Sequence, residues 1–409
     1  MARAMKDSGI EWIGEIPEGW SVVSLGRLFS ASAGGDAKQE LYSDYQDETH
    51  PYPVYTNTLS KDQVYAYTTT PFFQSNTITV TGRGAIGHAF YRDTPYDAII
   101  RLLSLCPKQT LNCRFYAYWI DTVIPFFTDS AAIGQLSAIQ ITKYKTLFLP
   151  LREQDKISEY LDIECSKINT IIEQTRASIE EYKKLKQSVI TQAVTKGIRP
   201  GRKMKDSGVE WIGEIPEEWT CQNFKYIAAV KSNLVQPEDY LDYPQVSPEN
   251  IEKGSGQLLS CRSVRDVGVI SGNHLFYKGQ ILYSKIRPKL NKVTIAPFDG
   301  LCSADMYPIE TKLNTEFFVY EMRSETFLSQ ISLITEDRVK MPKINQEELG
   351  EIPFAVPPTE EQEEIVCFLG EKLETMDRLI HKKELFIEEL EAYKKSLIFE
   401  YVTGKKEVI

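Results

Sequence analysis

The sixteen residues from Met5 to Trp20, MKDSGIEWIGEIPEGW, return as MKDSGVEWIGEIPEEW from Met204 to Trp219, with 14 of 16 positions identical. Self-similarity of that quality makes the chain an internal duplication, and any fold proposed for it must be built twice. A second repeat follows. LPLREQDKI, with Glu153, Gln154 and Ile157, is answered by VPPTEEQEEI, with Glu361, Gln362 and Ile365, at an offset of 208. That offset also aligns Ser188 with Ser396, Ile190 with Ile398, and Val194 and Thr195 with Val402 and Thr403. Each half is therefore an opening motif, a variable body and a closing segment. A length of 409 residues fits this plan and exceeds what one simple core serves. The expected boundaries are 1–150 for the opening motif and first body, 151–197 for the first closing segment, 198–357 for a linker, second motif and second body, and 358–409 for the second closing segment and tail.

The closing segments read as long helices. In the first, Ile157, Leu161, Glu164, Ile168, Ile171, Thr175, Ser178, Tyr182, Leu185 and Val189 fall at alternating spacings of four and three; in the second, Ile365, Leu369, Lys372, Met376, Leu379, Lys383, Phe386, Leu390, Tyr393 and Leu397 do the same. These are heptad seams with polar outer faces. Two amphipathic helices could each pack on their own body. Matched length and register favour packing on each other, and a pseudo-twofold relation between halves makes that pairing antiparallel, with the bodies at opposite ends.

The bodies differ from one another and are rich in strand and turn signals. Asn76 to Tyr91 (NTITVTGRGAIGHAFY) and Gly279 to Phe298 (GQILYSKIRPKLNKVTIAPF) alternate β-branched and polar residues on either side of a turn. Short helical stretches follow at Cys113 to Asp121 and Thr315 to Ser329. The fold class is α+β: two globular domains separated by two long antiparallel coiled-coil helices, with an internal pseudo-twofold repeat. No apolar run approaches the roughly 18 residues of a membrane span, and no secretory signal is readable, so a cytoplasmic location is expected. Seven scattered cysteines, none in a CxxC pair, and four histidines argue against a disulfide framework or a metal site.

A net charge of -10 speaks against nucleic acid only if it is spread evenly, and it is not. Residues 21–150 carry ten charges of each sign and 220–357 carry fifteen basic and seventeen acidic, whereas 358–409 carry eight and thirteen. Gly82, Gly84 and Gly87 spell GxGxxG after a strand, but AFYRDTPY beyond them continues as strand and turn, not as the helix that a nucleotide loop must open. No GxxxxGK[ST], HExxH, GxSxG or NPPY-type motif occurs, so no catalytic constellation is found. The basic residues are better placed. From Val267 to Phe298 there is no acid, while His274, Tyr277, Lys278, Tyr283, Ser284, Lys285, Arg287, Lys289, Asn291 and Lys292 cluster. Gln63 to Arg92 is also acid-free and holds Thr81, Arg83, His88 and Arg92. The pattern Arg287-x-x-Leu290-x-Lys292-Val293 overlays Arg83-x-x-Ile86-x-His88-Ala89. Such residues contact phosphates and base edges; ordinary solvated hairpin loops are the alternative. Thr128 to Leu136 and Glu336 to Lys343, the latter with Arg338 and Lys340, stand before each closing helix and are further contact candidates. In the opening motifs, Trp12, Ile13, Ile16, Pro17 and Trp20 and their copies form an apolar payload expected to dock each body onto the helices.

The layout resembles the specificity subunit of type I DNA restriction-modification systems. The resemblance rests on KDSGxEWIGEIPExW before each body, Pro150 to Gln154 and Pro357 to Gln362 at the helix starts, Ala193 to Gly197 and Tyr401 to Lys405 at the helix ends, and YSKIRPKLNKV in the second body. It implies that each body is a target-recognition domain for one half of a split, asymmetric sequence of double-stranded DNA. It further implies that the helices are the spacer and that two methyltransferase subunits bind along the helical region, with restriction and translocase subunits added for cleavage. The chain itself would be non-catalytic and hold no cofactor; S-adenosylmethionine, ATP and magnesium belong to the partners. TGRGAIGH in the first body departs from the more basic form. Rival classes are a chain that is the recognition part of another methylation or restriction enzyme, and a coiled-coil scaffold that binds no DNA.

Overall fold

The computed structural model describes residues 3–126, 134–336, 338 and 342–408. It forms two units, Met1–Thr175 with Leu385–Ile409, and Arg176–Glu384. Both long helices, Leu151–Lys196 and Thr359–Val402, therefore contribute one part to each unit.

In the first unit the opening motif is a hairpin of β1 (Met5–Asp7) and β2 (Glu15–Pro17), with Met5 opposite Pro17. The body is built on an antiparallel sheet of β3 (Phe29–Ala33), β4 (Thr77–Val80), β5 (Ala89–Arg92) and β6 (Leu103–Pro107), in the order β3-β6-β4-β5. Helix α1 (Cys113–Val123) buries Phe115, Tyr116, Trp119 and Ile120 in the same core. Asn112 caps it by accepting hydrogen bonds from the backbone of Arg114 and Phe115 at 3.0 and 3.2 Å. The second unit repeats the plan with β7 (Met204–Asp206) and β8 (Glu214–Pro216), then β9 (Ala228–Val230), β10 (Ile281–Ser284), β11 (Val293–Ile295) and β12 (Met306–Thr311) in the order β9-β12-β10-β11. Helix α2 (Thr315–Arg323) is capped by Asn314. The single helical stretch expected to Ser329 is two, because Ser324 ends α2 and caps Glu325–Ile334.

The bodies part ways in a second, smaller sheet. In the first body its order is Asp97–Ala98, Tyr52–Tyr55, Ala66–Thr68, Tyr42–Ser43; in the second it is Leu234–Val235, Asn273–Phe276, Gly300–Cys302, Pro244–Val246, Arg262–Ser263. The strand just before the first sheet's third strand pairs with Tyr52–Tyr55 in one body, but with the late strand Gly300–Cys302 in the other. The common frame thus ends at the first sheet.

The helices are antiparallel, as expected. In the first unit Lys394 donates to Asn169 at 2.8 Å and the rings of Tyr160 and Tyr401 lie 4.5 Å apart; in the second Lys186 pairs with Asp377 and Lys383 lies over Tyr182. An offset of 208 turns Asn169 into Asp377 and Lys186 into Lys394, so one interhelical contact is made twice. The seam differs from the heptad expectation. Its inward positions are Ile157, Leu161, Cys165, Ile168, Ile172, Thr175, Ile179, Tyr182, Lys186 and Ile190, while Ile171 and Leu185 are exposed. The same positions plus 208 are Ile365, Leu369, Leu373, Met376, Ile380, Lys383, Ile387, Leu390, Lys394 and Ile398, all at least half-buried, while Leu379, Phe386 and Tyr393 are exposed. Thirty-three residues in nine steps give about 3.7 residues per step, close to the straight helix and to an 11-residue period, not to the 3.5 of a left-handed supercoil.

Opening motif, body and helix meet at one junction per unit. Trp20 Nε1 donates to Glu153 Oε2 at 2.9 Å and Arg3 to the same oxygen at 2.5 Å. Gln154 accepts from the backbone of Asn112 at 2.9 Å and donates to the Leu149 carbonyl at 2.9 Å. In the second unit Trp219 donates to Glu361 at 2.9 Å, Arg202 pairs with Glu361, and Gln362 joins Asn314 to Pro357 at 2.8 and 2.9 Å. Ile13, Ile16, Trp20, Ile212, Ile215 and Trp219 are buried, as the docking role required, whereas Trp12 and Trp211, expected in the same payload, are exposed because they stand in the hairpin turn outside that core. At the ends of the long helices, Gly404 packs against Pro17 and Trp20, where a Cβ would stand 2.5 Å from the proline ring.

The two junctions differ in burial: the Glu153 side chain is 33% exposed and that of Glu361 is 2%. Burial raises the Glu361 pKa, but hydrogen bonds from Arg202 and Trp219 outweigh it and hold the carboxyl below its ordinary 4.5. Its contribution to stability is accordingly complete above pH 4.5 and is lost as the pH falls through the depressed folded value. Glu361→Ala should cost about 2–3 kcal/mol in urea unfolding and Glu153→Ala about 1 kcal/mol, and Glu361→Gln should flatten the acid limb of the wild-type stability curve.

Candidate nucleic-acid interface

The two acid-free stretches run through strands, and within them Thr81–His88 and Ser284–Lys292 become equivalent loops. Each joins the last two strands of its first sheet, β4 to β5 and β10 to β11, and each is closed by a backbone bond, Thr81 N to His88 O at 2.9 Å and Ser284 N to Lys292 O at 3.0 Å. The glycines of the first loop serve this turn and open no helix: Gly87, at φ +97°, has the Phe126 ring where a Cβ would be, 2.4 Å away.

A sequence-distant segment lies beside each loop. Leu136 N donates to the Gly82 carbonyl at 2.8 Å, and Gln135 accepts from the Arg83 guanidinium at 3.0 and 3.3 Å. Arg287 N donates to the Pro342 carbonyl at 2.8 Å and Ile344 N to the Lys285 carbonyl at 3.0 Å. The structure therefore brings together, in both bodies, the two candidate segments that the sequence separates by about 50 residues. Lys340 and residues 128–133 lie outside the described residues.

The candidates divide by burial. Arg83, Arg287 and Lys289 are exposed. Arg287 and Lys289 form no side-chain hydrogen bond or ion pair with the described residues. Lys285 is half-buried with its ammonium 5.3 Å from the Tyr307 ring centre. Its charge comes second to burial in pulling the His274 pKa down. His88 is half-exposed, 3.3 Å from Asp121. The other candidates are held by their own protein. Thr81 is buried and donates to the Ala85 carbonyl at 2.5 Å. Arg92 is buried with Nε on Thr79 at 3.0 Å, Nη1 on the Lys61 carbonyl at 2.7 Å and its guanidinium 3.5 Å above the Tyr55 ring. Tyr283 and Ser284 are buried, the serine donating to the Ile286 carbonyl at 2.9 Å. Asn291 is buried in the turn, Lys292 donates to the Pro248 carbonyl at 2.7 Å, and Arg338 pairs with Glu348, which raises its pKa. These residues shape the loops rather than line their exposed faces.

Neighbours that sequence reading did not single out complete the site. Asn57 accepts from the backbone of Gly82 and Arg83 at 2.8 and 3.3 Å and donates to the Ile100 carbonyl at 2.7 Å. Ile100 and the exposed Arg101 hold φ of +53° and +61°, and in the second body Arg287 and Asn291 hold +44° and +48°. Left-handed backbone is costly for side-chain-bearing residues, most of all a β-branched one. Four of the five such non-glycine residues among those described stand in or beside the two loops. Local strain of this kind gathers at functional sites. Among the described residues no helix is long and apolar enough to cross a membrane and no cluster is placed to hold a metal ion.

Two like-framed bodies that each present a basic loop, on a pair of antiparallel helices, define a DNA-recognition protein. Comparison specifies which: residues 17–181 and 221–390 match the model of the type I restriction modification DNA specificity domain. Over 375 residues the chain is 33% identical to the EcoDI specificity subunit of Escherichia coli, covering 86% of this chain and 81% of that one. It is 26% identical to the putative MjaX specificity subunit of Methanocaldococcus jannaschii over 96% and 95% of the two chains. A chain of a solved type I R-M system superposes with a TM-score of 0.69 at 12% identity, covering 96% of this chain and 99% of its own. The HsdS subunit from Thermoanaerobacter tengcongensis superposes at 0.50 and 13% identity, covering 98% and 100%. The chain belongs to the type I restriction-modification specificity subunits, and its function is sequence-specific DNA recognition within such a system.

Tyr283 provides a test of the burial assignment, because its hydroxyl is enclosed without a hydrogen-bond partner among the described residues. Tyr283→Phe should raise thermal stability by about 1 kcal/mol and leave DNA affinity unchanged. A loss of affinity would put the phenol back among the contacts.

Proposed function

We propose that the chain reads a split, asymmetric DNA target with one half-site per body, carries no catalysis of its own, and holds two methyltransferase subunits, restriction and translocase subunits joining for cleavage. S-adenosylmethionine, ATP and magnesium then act on the partners. The observation that carries this reading is the duplication itself: one loop-plus-segment assembly is built twice on matching frames, while the surroundings of each differ. An asymmetric bipartite target calls for two unlike readers at a set spacing. Backbone contacts to phosphate hold each body, and a few exposed side chains, Arg287 foremost, meet base edges. Affinity of the chain alone should be modest, since acid elsewhere in the chain limits the gain from counterion release.

Replacing Arg287 or Lys285 by Ala should weaken binding by about 1–3 kcal/mol and relax one position of one half-site if a base is read. Equal weakening on all sequences would instead mean phosphate contact. Purified chain with S-adenosylmethionine and no partner should transfer no methyl group to DNA.

The helices carry the chain from one unit to the other, and in this reading they set the spacing. Four residues inserted after Ser178 and after the equivalent Phe386 lengthen each helix by about 6 Å, at most about two base pairs. The seam already accepts consecutive four-residue steps at Ile157, Leu161 and Cys165, so packing should survive. Methylation mapping should find both half-sites unchanged and farther apart. Methylation at the original spacing alone would rule out the spacer role.

A further inference from the structure

The duplication has left one exposed feature identical in both halves. Trp20, Trp119 and Trp219 are buried and their indole N–H groups are hydrogen-bonded. The other two tryptophans, Trp12 and Trp211, are 53% and 42% exposed, and neither donates to any described residue. They are equivalents, at the tip of the opening hairpin. The turn that carries each is tightly closed. Ser8 N bonds Gly14 O at 2.9 Å and Gly9 N bonds Asp7 at 2.9 Å; Ser207 N bonds Gly213 O at 3.0 Å and Gly208 N bonds Asp206 at 2.9 Å. The indoles are thus presented on rigid backbone, at little ordering cost to a complex.

Packing explains why Ile13, Ile16 and Trp20 match Ile212, Ile215 and Trp219, since all six are buried. It does not explain the exposed identities. Glu11, Glu15 and Glu18, like Glu210, Glu214 and Glu217, are exposed and form no ion pair with the described residues. Each motif sets one lysine against four or five acids. In the first motif that lysine, Lys6, is tied to the Glu18 carbonyl at 2.6 Å. Such a surface repels phosphate and does not suit DNA. An exposed tryptophan on a hairpin whose exposed glutamates form no ion pair among the described residues, with only the Lys196 ammonium on the Glu214 carbonyl beside the second, suits a protein pocket that is apolar within and basic at its rim. Because the same surface occurs once on each unit, while the DNA-facing loops differ, its occupant is one kind of molecule taken twice.

We propose that the Trp12 and Trp211 turns are the two seats of the methyltransferase subunits, each indole entering an apolar socket lined at its mouth by lysine or arginine. This rests on the reading above and names the surface through which the partner is held. The test co-expresses the full chain with its methyltransferase subunit and counts bound copies by native mass spectrometry, alongside titration of the subunit onto the chain. Wild-type chain should bind two copies. Trp12→Ala and Trp211→Ala should each weaken one of the two by on the order of tenfold or more, and the double variant both. Glu11→Lys with Glu210→Lys should do the same without removing apolar surface, and its deficit should shrink at high salt. Circular dichroism should match wild type for every variant, and the Glu11→Lys with Glu210→Lys variant, which changes only exposed side chains, should also melt with wild type. Two copies held by the double variant at wild-type affinity would overturn the seats while leaving the proposed function intact. A wild-type chain that binds no methyltransferase would overturn both. Loss of DNA binding by the double variant alone, with the subunits retained, would assign the turns to DNA and also overturn the proposal.

Discussion

Everything else in each unit hangs on two consecutive side chains in the first turn of a long helix, a glutamate and then a glutamine. The glutamate receives the indole N–H of the opening motif and a guanidinium; the glutamine receives the backbone N–H that starts the body helix. A carboxylate at a helix N-terminus is favoured by the exposed N–H groups there, and pairing with a tryptophan donor and an arginine satisfies its remaining lone pairs. The consequence lies in what the pair does not touch. Its partner in the body is a main-chain group, which any sequence supplies. That one contact therefore survives a change of side chains in the body, while Asn112, Arg114 and Tyr118 add side-chain contacts to Asp155 and Asp162 of the first helix.

The helices obey a matching economy. Each inward position has its counterpart 208 residues away, and the interhelical pair of lysine with asparagine or aspartate is made once in each unit. A step of about 3.7 residues, close to the straight-helix period, keeps one stripe of each helix inward within its unit. Sequence reading found the helices, their ends and their offset, and erred on the stripe. A strict step of about 3.5 first leaves the inward stripe at Glu164 and Lys372, where the buried residues are Cys165 and Leu373. The apolar residue of each pair was in the sequence; the assumed period hid it.

The site was legible where its signal is local. An acid-free run holding several cations marks a loop whatever the fold, and the overlay of Arg83 with Arg287 foretold two loops at one place in one sheet. What required the structure was depth and company. Strand alternation does not distinguish Tyr283, enclosed between β10 and its core, from an exposed reader, and a cation such as Arg92 reads as a phosphate contact until the Tyr55 ring is seen beneath it. Asn57 and Arg101 carry no motif at all, whereas Gln135 belongs to the 128–136 segment that the sequence offers as a candidate. Asn57 and Arg101 stand beside the first loop through contacts made across separate turns, and only their backbone geometry and hydrogen bonds bring them to notice.

The division between common and divergent structure lets one frame carry two unlike loops. In both bodies the first sheet has the same strand order and packs the capped helix that the glutamine holds, so the root of each loop is equivalent. The second sheet is wired differently, and it borders the loops: Tyr55 lies under Arg92 in one body, and the Pro248 carbonyl just beyond Pro244–Val246 takes Lys292 in the other. Left-handed backbone at Ile100, Arg101, Arg287 and Asn291 costs on the order of 1–3 kcal/mol at each residue and persists only on rigid surroundings. The shared sheet gives that rigidity and the second sheet sets which groups stand around the strained loop. Changes confined to the second sheet and the loop can thus alter the loop's surroundings while the junction, the helices and the opening hairpin stay as they are.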